Sequence, residues 1–464
     1  MSFSAIQFDA DMMGRYGLTG PRYTSYPTAL QFKKEITSEQ YARAAAGSEE
    51  ALLCRPLSLY VHIPFCFSPC FYCGCNKIVT RDVRRMGRYV EYLGQEISLR
   101  GRYFNHARVV DQLHWGGGTP TYLPKSLFIE LMAKLAQHFR LTDLPGRDYS
   151  IEIDPRSVDP AALQSLKDLG FNRVSLGVQD FDPDVQAAVN RVQPAGQVHG
   201  VYQAARNVGF QSINFDLIYG LPLQTPETFS RTLEQVIAMR PDRLAVYGYA
   251  HMPQLFKAQR RISSEELPDE ATRLILLRLA IERLCAAGYL YIGLDHFALP
   301  SDSLAQAKQQ VTLHRSFQGY TTHANHDLVS FGVSAIGRVG GLYVQNHKLL
   351  TEFEAAIDQG TLPGQRGVFL DPDDSIRADV IQQIMCHGLV EIEALQTRHG
   401  IVFRDYFAPE LKRLSTLSED GLVDMTQEHI RLTRAGQLMM RAVAMTFDAY
   451  LRPVIAAPLM SRLL

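Results

Sequence analysis

Four of the seven cysteines lie between positions 66 and 75, in the run Cys66-Phe67-Ser68-Pro69-Cys70-Phe71-Tyr72-Cys73-Gly74-Cys75. A tight loop with three and then two residues between thiols can bring Cys66, Cys70 and Cys73 to three corners of one cuboidal cluster. Cysteine thiolates are the usual ligands of iron–sulfur clusters, and four would saturate the four irons. Three leave one iron open, and an open metal position is what a chelating ligand needs, such as the amino and carboxylate groups of an amino acid. Zinc is a competing reading of the same thiols, although structural zinc sites usually take their ligands as separated pairs. A redox dithiol of Cys73 and Cys75 is a third. The neighbouring Phe65, Phe67, Phe71 and Tyr72 suit a shielded cluster better than an exposed zinc knuckle. Cys75 would crowd Cys73 as a ligand, so it is expected beside the cluster rather than on it.

Other residues could complete a site. Gly116-Gly117-Gly118-Thr119-Pro120 lets backbone groups approach a ligand closely, where side chains would intrude; alone, it could equally be a tight turn. Glu152 and Asp216 are candidates for binding an amine or ribose hydroxyls, and singly each reads as well as half of a structural salt bridge. Gln179 and Arg191 are helix-flanking polar residues unless a shared cavity recruits them.

These residues need a frame. Strand-like runs are expected at Leu57–Ile63, Val109–Trp115, Tyr149–Ile153, Arg173–Val178, Ser212–Tyr219 and Arg243–Tyr249. Helical patterns lie between them, at Arg84–Arg100, Lys125–Phe139, Pro160–Leu169, Gly196–Val208 and Pro226–Met239, with Gly170 and Gly209 placed as C-caps. Strands alternating with helices predict a parallel α/β sheet whose right-handed crossovers curl it toward a barrel. The cysteine loop, the triple glycine, Glu152-Ile153-Asp154-Pro155, Gln179-Asp180, Asp216 with Tyr219-Gly220-Leu221-Pro222, and Tyr247-Gly248-Tyr249 each fall at a strand end. Active sites of βα barrels are built from the loops at those C-terminal ends. Six coincidences in chain order predict one site at one barrel mouth.

The bulk properties agree with an ordinary globular protein. The chain has 464 residues, 46% hydrophobic and 20% charged, with a formal net charge of −1. That balance gives no support for a polyanion-binding surface, so nucleic acid is not the expected partner. No secretory pattern opens the sequence, and no run approaches the roughly 18 apolar residues of a membrane span. A cytoplasmic protein is expected, whose odd, clustered cysteines are not a disulfide framework. Cys285 and Cys386 sit in helical patterns and read as buried apolar residues; Cys54 carries no functional expectation. Beyond Tyr291 the pattern reads as loops and helices, with a polar, Gly-rich stretch near His314–Gly341. Residues 376–451 read as a helical domain resembling a winged helix, expected to pack or cover, since no basic cluster accompanies it.

Three blocks then become specific: Tyr60-Val61-His62-Ile63-Pro64-Phe65-Cys66 through Cys73-Gly74-Cys75-Asn76, His114-Trp115-Gly116-Gly117-Gly118-Thr119-Pro120-Thr121, and Pro21-Arg22-Tyr23-Thr24-Ser25-Tyr26-Pro27-Thr28. With Gly220-Leu221-Pro222 and Ser316-Phe317-Gln318-Gly319-Tyr320, they resemble the oxygen-independent coproporphyrinogen III oxidase family of radical S-adenosylmethionine enzymes, over nearly the whole chain. The resemblance implies a partial (β/α)6 TIM-like barrel at 56–295. It also implies an N-terminal strap at 1–55, a connecting and substrate-cavity region at 296–370 and a mostly helical C-terminal domain at 371–464. It implies one [4Fe–4S] cluster on Cys66, Cys70 and Cys73, and two S-adenosylmethionine molecules side by side. The first would meet Tyr60, Gly117, Glu152 and Ile336; the second Tyr72, Gly118, Thr119, Gln179, Arg191, Asp216 and Ala250. Cys75 and Tyr60 are its candidate catalytic residues, and Arg22, Phe317 and Gln318 would face the substrate, coproporphyrinogen III. The implied reaction converts two propionates to vinyl groups through a 5′-deoxyadenosyl radical, with loss of CO2. A low-potential electron donor and a separate acceptor are expected, and, with no partner surface visible in the sequence, a monomer. A related haem-trafficking protein is the nearest alternative, but neither Cys75's Cys-Gly-Cys context nor the Pro21–Thr28 strap is expected of it. A zinc-stabilised scaffold with a winged-helix-like tail is the non-enzymatic one.

Overall fold

The computed structural model describes residues 7–17, 20–51, 55–324 and 326–451; Cys54 lies outside them, as do the outer ends of the expected strap and C-terminal domain. The chain divides into two compact units, one of Phe32–Asp269 with Asn325–Phe369, the other of Met1–Gln31, Glu270–Ala324 and Leu370–Leu464.

The first unit is an α/β sheet. Its parallel strands are β1 (Leu57–Ile63), β2 (Val109–Gly117), β3 (Asp148–Ile153), β4 (Arg173–Gln179), β5 (Ser212–Tyr219) and β6 (Arg243–Gly248). Between them run α1 (Val83–Gly101), α2 (Lys125–His138), α3 (Pro160–Asp168), α4 (Ala195–Val208) and α5 (Pro226–Met239). Each of the six expected strands and five expected helices is present within two residues of its expected ends. Their boundaries are chemical. Asp159 caps α3 before Pro160, Thr225 and Thr228 form a capping box on α5, and Gly209 closes α4 at φ +86°. Six of the seven residues of β1 are buried, the pattern of a strand covered on both faces. In β4 every second residue is buried, which turns the others to the opposite face.

On its other edge β1 pairs in parallel with β7 (Asp327–Phe331), and β8 (Ile336–Val339), β9 (Leu342–Asn346) and β10 (Gly364–Phe369) continue the sheet antiparallel, giving the order β6-β5-β4-β3-β2-β1-β7-β8-β9-β10. This corrects the expectation of loops and helices beyond Tyr291. These strands are short, and β7 and β9 are buried throughout, so no polar alternation announces them. A buried network ties them to α1. Glu96 accepts from Arg100 Nε at 2.9 Å, Asn346 Nδ2 at 2.7 Å and the Gly332 N–H at 2.7 Å, while Arg100 Nη2 donates to Asn346 Oδ1 at 2.7 Å.

The second unit holds the helices Glu270–Ala286, Ser303–Gln309 and Pro372–His387, the hairpin His314–Ser316/Gly319–Thr321, and a small sheet of Leu389–Glu391, His429–Leu432 and Val423–Met425. The strap residues are fastened inside it. Arg441 Nε donates to Pro21 O at 2.9 Å, Tyr23 Oη to Asp448 at 2.9 Å, and the Ala449 N–H to Tyr26 Oη at 3.0 Å. Cys386 is buried as expected, but Cys285 is exposed: its helix turns that position outward, between the buried Leu284 and the solvent. No helix among the described residues is long and apolar enough to cross a membrane.

Candidate active site

The cysteine loop leaves the C-terminal end of β1, and backbone hydrogen bonds staple it. Phe65–Cys66 pairs in parallel with Ile78–Val79; the Ile78 N–H reaches Pro64 O at 2.7 Å and the Thr80 N–H reaches Cys66 O at 3.2 Å. The end of β2 docks on the same stretch through Gly118 N–H to Ile63 O and Thr119 N–H to Phe65 O, both 2.8 Å. A Cβ at position 118 would stand 2.7 Å from the Pro64 carbonyl carbon, so only glycine permits this contact. Gly117, at φ +115°, would likewise drive a side chain into His62.

Cys66, Cys70, Cys73 and Cys75 then line one cavity of about 930 Å³, together with Tyr72, Gly117, Gly118, Thr119, Glu152, Gln179, Arg191 and Asp216. Donors point at the sulfurs. Thr119 Oγ1 lies 3.6 Å from Cys66 Sγ, Arg191 Nη1 3.5 Å and Arg156 Nη2 3.9 Å from Cys70 Sγ, and the Cys75 N–H 3.4 Å from Cys73 Sγ. Burial pushes the Cys66 thiol up to about 11. Cys73 lies below the ordinary thiol value, because the Cys75 thiol hydrogen-bonds to it and Lys77 is close; Cys75, the donor of that bond, is raised. Among the described residues no three His, Cys, Asp or Glu side chains close around the centre of a single ion. A cuboidal cluster asks something different, one thiolate for each of three irons at separate corners. Three thiols in one stapled loop, each facing a hydrogen-bond donor, fit that demand.

Three strand ends supply the polar groups. Glu152, at the end of β3, accepts from the Gly117 N–H at 3.1 Å and lies 3.3 Å from His114 Nε2. Burial works against its charge, yet His114 and the Gly117 N–H outweigh it and hold the carboxyl below its usual value. Asp216, on β5, accepts from Ser175 Oγ at 2.8 Å and Asn214 Nδ2 at 2.9 Å, and burial raises it to about 6. Gln179 closes β4 at φ +67°, a left-handed backbone that a non-glycine residue holds only under surrounding constraint. Arg191, 7% exposed, donates to Gly177 O at 2.6 Å and pairs with Asp154 at 3.1 Å. That fixes its guanidinium against Cys70.

Other expected residues stand elsewhere. Tyr60, Ala250 and Ile336 are not in the lining of this cavity. Tyr60 stacks on His114 with ring centroids 5.8 Å apart and its hydroxyl lies 3.1 Å from His62 Nδ1; Ile336 opens β8 opposite Gln345. Arg22, Phe317 and Gln318 belong to the second unit. Arg22 is ion-paired with Asp295, and Phe317 and Gln318 form the tip of the hairpin at 314–321, with the Gln318 N–H on Ser316 Oγ at 3.2 Å.

Sequence reasoning assigned no role to three contributors, although it placed Asp154 at a strand end of the site. Asp154 and Arg156, paired at 2.7 Å, orient the guanidiniums toward Cys70; a charged Asp-Pro-Arg run at a strand end was their available signal. Gln259, 2% exposed, clasps Tyr72 O at 2.9 Å and Ala250 O at 3.2 Å, and nothing in its local sequence marks it.

Comparison with known proteins gives a consistent result. The sequence profile of the Radical SAM superfamily matches residues 60–236, and that of the HemN C-terminal domain matches residues 370–439. The chain is 49% identical over 446 residues to the oxygen-independent coproporphyrinogen III oxidase of Pseudomonas aeruginosa, covering 96% of each protein. It is 45% identical over 452 residues to the enzyme of that name from Escherichia coli K12, covering 97% of each. A solved structure described as "Coproporphyrinogen III oxidase (HemN) from Escherichia coli is a Radical SAM enzyme" superposes with a TM-score of 0.91 at 44% identity, over 97% of this chain and 100% of that one.

Proposed function

The chain belongs to the oxygen-independent coproporphyrinogen III oxidase family of the radical SAM superfamily, and on that premise we propose that it converts coproporphyrinogen III to protoporphyrinogen IX without O2. It is an oxidoreductase of tetrapyrrole synthesis that uses a [4Fe–4S] cluster and S-adenosylmethionine. The observation that carries this reading is the single cavity that joins Cys66, Cys70 and Cys73 to Glu152, Arg191 and Asp216 at successive strand ends.

Bound on Cys66, Cys70 and Cys73, a [4Fe–4S] cluster would supply the low-potential electron for reductive cleavage of S-adenosylmethionine, the radical chemistry by which a propionate could lose CO2 and become a vinyl group. The chain's own part is binding and positioning. Cys66, Cys70 and Cys73 hold the cluster, and the donors from Thr119, Arg156, Arg191 and the Cys75 N–H draw negative charge from the sulfurs, which eases reduction. Glu152 stays ionised at neutral pH and presents an acceptor to an ammonium group, while Gly117 and Gly118 leave room for close backbone contact. Asp216, Gln179 and Arg191 suit ribose hydroxyls and a carboxylate. Two S-adenosylmethionine molecules are the proposed complement of this cavity of about 930 Å³, a reading that Glu152 and Asp216 on separate strands support. Tyr72, Thr119 and Ala250 serve the second of them, Tyr60 and Ile336 the first. Tyr60 and Cys75 are the proposed catalytic residues; burial keeps the Tyr60 hydroxyl protonated.

A tetracarboxylate needs cations, and Arg22 meets one substrate carboxylate by exchanging its Asp295 partner for it. Phe317 and Gln318 contact the macrocycle. The reading extends to a cytoplasmic monomer with separate electron donor and acceptor, and to the division 1–55, 56–295, 296–370 and 371–464. Its test is anaerobic incubation with reductant, S-adenosylmethionine and coproporphyrinogen III. Protoporphyrinogen with 5′-deoxyadenosine is expected. 5′-Deoxyadenosine without vinyl product would overturn the substrate, and haem binding without turnover would point to a haem carrier.

A further inference from the structure

The rim of the cysteine loop, where Phe67 lines the cavity and is also exposed, carries an apolar and basic patch on its surface. Phe67, the residue after Cys66, is 55% exposed; Val79 is 46% and Val83 55% exposed. Arg81 lies over the Phe67 ring at 4.4 Å, and Arg84, with a side chain 94% exposed, and Arg85 stand beside it on the surface. The chain as a whole has 47 basic and 48 acidic residues, so the exposed Arg81, Arg84 and Arg85 against the single acid Asp82, which lies 3.5 Å from Arg84, are a local excess of positive charge; Arg88, paired with Glu354 at 2.8 Å, and Lys77, turned into the cavity, do not add to it. Asp82 is itself engaged as the N-cap of α1.

The patch is built onto the cluster ligand. Val79 is the register partner of Cys66, the Thr80 N–H bonds to Cys66 O at 3.2 Å, and Tyr122, edge-on to Phe67 at 6.0 Å, donates to Thr80 O at 3.0 Å. An exposed aromatic and two exposed valines, with Arg81 over the ring and Arg84 and Arg85 exposed on the following turn, have the make-up of a small, transient protein interface. The arginines select an acidic partner and speed its encounter.

We propose that this face docks an acidic, low-potential one-electron carrier protein, which delivers its electron into the loop of Cys66. The inference rests on the proposed radical chemistry, which consumes electrons that the chain cannot make. The step balances simply: the reduced carrier loses one electron, the iron–sulfur cluster gains it, and no bond or proton moves. A weak contact suffices, because the carrier must leave after each transfer.

The test is the triple variant Arg81→Glu/Arg84→Glu/Arg85→Glu of the cluster-loaded protein, with Val83→Ser, at an exposed position outside the cavity lining, as a second. An acidic flavodoxin and an acidic [2Fe–2S] ferredoxin, both reduced, serve as probes beside dithionite. We expect charge reversal to slow carrier-driven cluster reduction at least tenfold, to weaken carrier binding measured directly by calorimetry, and to flatten the dependence of both on salt. Dithionite-driven turnover stays as in the unaltered protein. Carrier-driven rates and binding unchanged by reversal would overturn the proposal, and so would an equal loss with dithionite, which marks damage to the loop. Failure of the unaltered protein to decarboxylate with dithionite would instead sink the functional reading itself.

Discussion

Cys70 faces two guanidiniums, from Arg156 and Arg191, Cys66 the Thr119 hydroxyl, and Cys73 the backbone N–H and thiol of Cys75. Replacing any of the three with serine is expected to abolish cluster retention; iron and sulfide content after anaerobic reconstitution would fall to a small fraction of the unaltered protein's, and retention of full content would remove that cysteine from the ligand set. Cys75→Ser should keep the iron, since the backbone N–H toward Cys73 Sγ is retained and the serine hydroxyl can donate in place of the thiol. Asp216 makes a prediction about pH. Its carboxyl titrates at about 6 in the folded chain, against roughly 4 when unfolded. As pH rises the unfolded state sheds its proton first, so the group lowers stability progressively between those values and in full above about 6. Asp216→Asn should therefore flatten the fall in thermal stability from pH 4 to 6 and raise the melting temperature at pH 7, while weakening S-adenosylmethionine binding. A melting curve with the same pH slope as the unaltered protein would contradict this. The cysteine spacing was legible in the sequence because it is local, as were Glu152 and Asp216 because they end strands. Gln259 was not, because its role depends on two backbone carbonyls at Tyr72 and Ala250 that the chain brings together from far apart.

At the level of elements, the junction of β1 and β2 decides the site. Gly118→Ala forces a Cβ against the Pro64 carbonyl and Phe65 O, and overpacking of this kind costs about 1–3 kcal/mol. Because the strain falls between two strand ends, its expected signature is loss of cluster content and of S-adenosylmethionine affinity, larger than the modest drop in denaturation midpoint. An alanine variant with normal iron would show that the approach of the two loops is dispensable. Helix and strand boundaries in β1 to β6 were readable because caps, prolines and apolar runs recur with a βα period. The extension from β7 to β10 was not, because strands such as Asp327–Phe331 and Leu342–Asn346 are short and wholly buried, and their pairing partners lie far off in sequence. Cys285 failed for a related reason: a small apolar residue on a helix carries little information about which way it faces, and its neighbour Leu284 took the buried position.

Across the whole molecule, stability and chemistry are drawn from different places. The Glu96–Arg100–Asn346 network, far in sequence from the cysteines, locks α1 onto the strand extension with every group buried. Glu96→Gln leaves Arg100 without its charge partner, and breaking a buried pair costs about 3–5 kcal/mol. Urea unfolding should show that loss in midpoint with the slope unchanged, and a midpoint within error of the unaltered protein would mean the network is dispensable. The cysteine loop is attached differently. It hangs from β1, a strand hydrogen-bonded on both sides by β2 and β7, while Gly74 and Cys75 at its own tip are exposed. Opening that tip breaks few bonds, whereas opening β1 requires the whole sheet. The two events therefore have separate barriers, so the tip that carries Cys73 and Cys75 can open to solvent while the rest of the polypeptide stays folded.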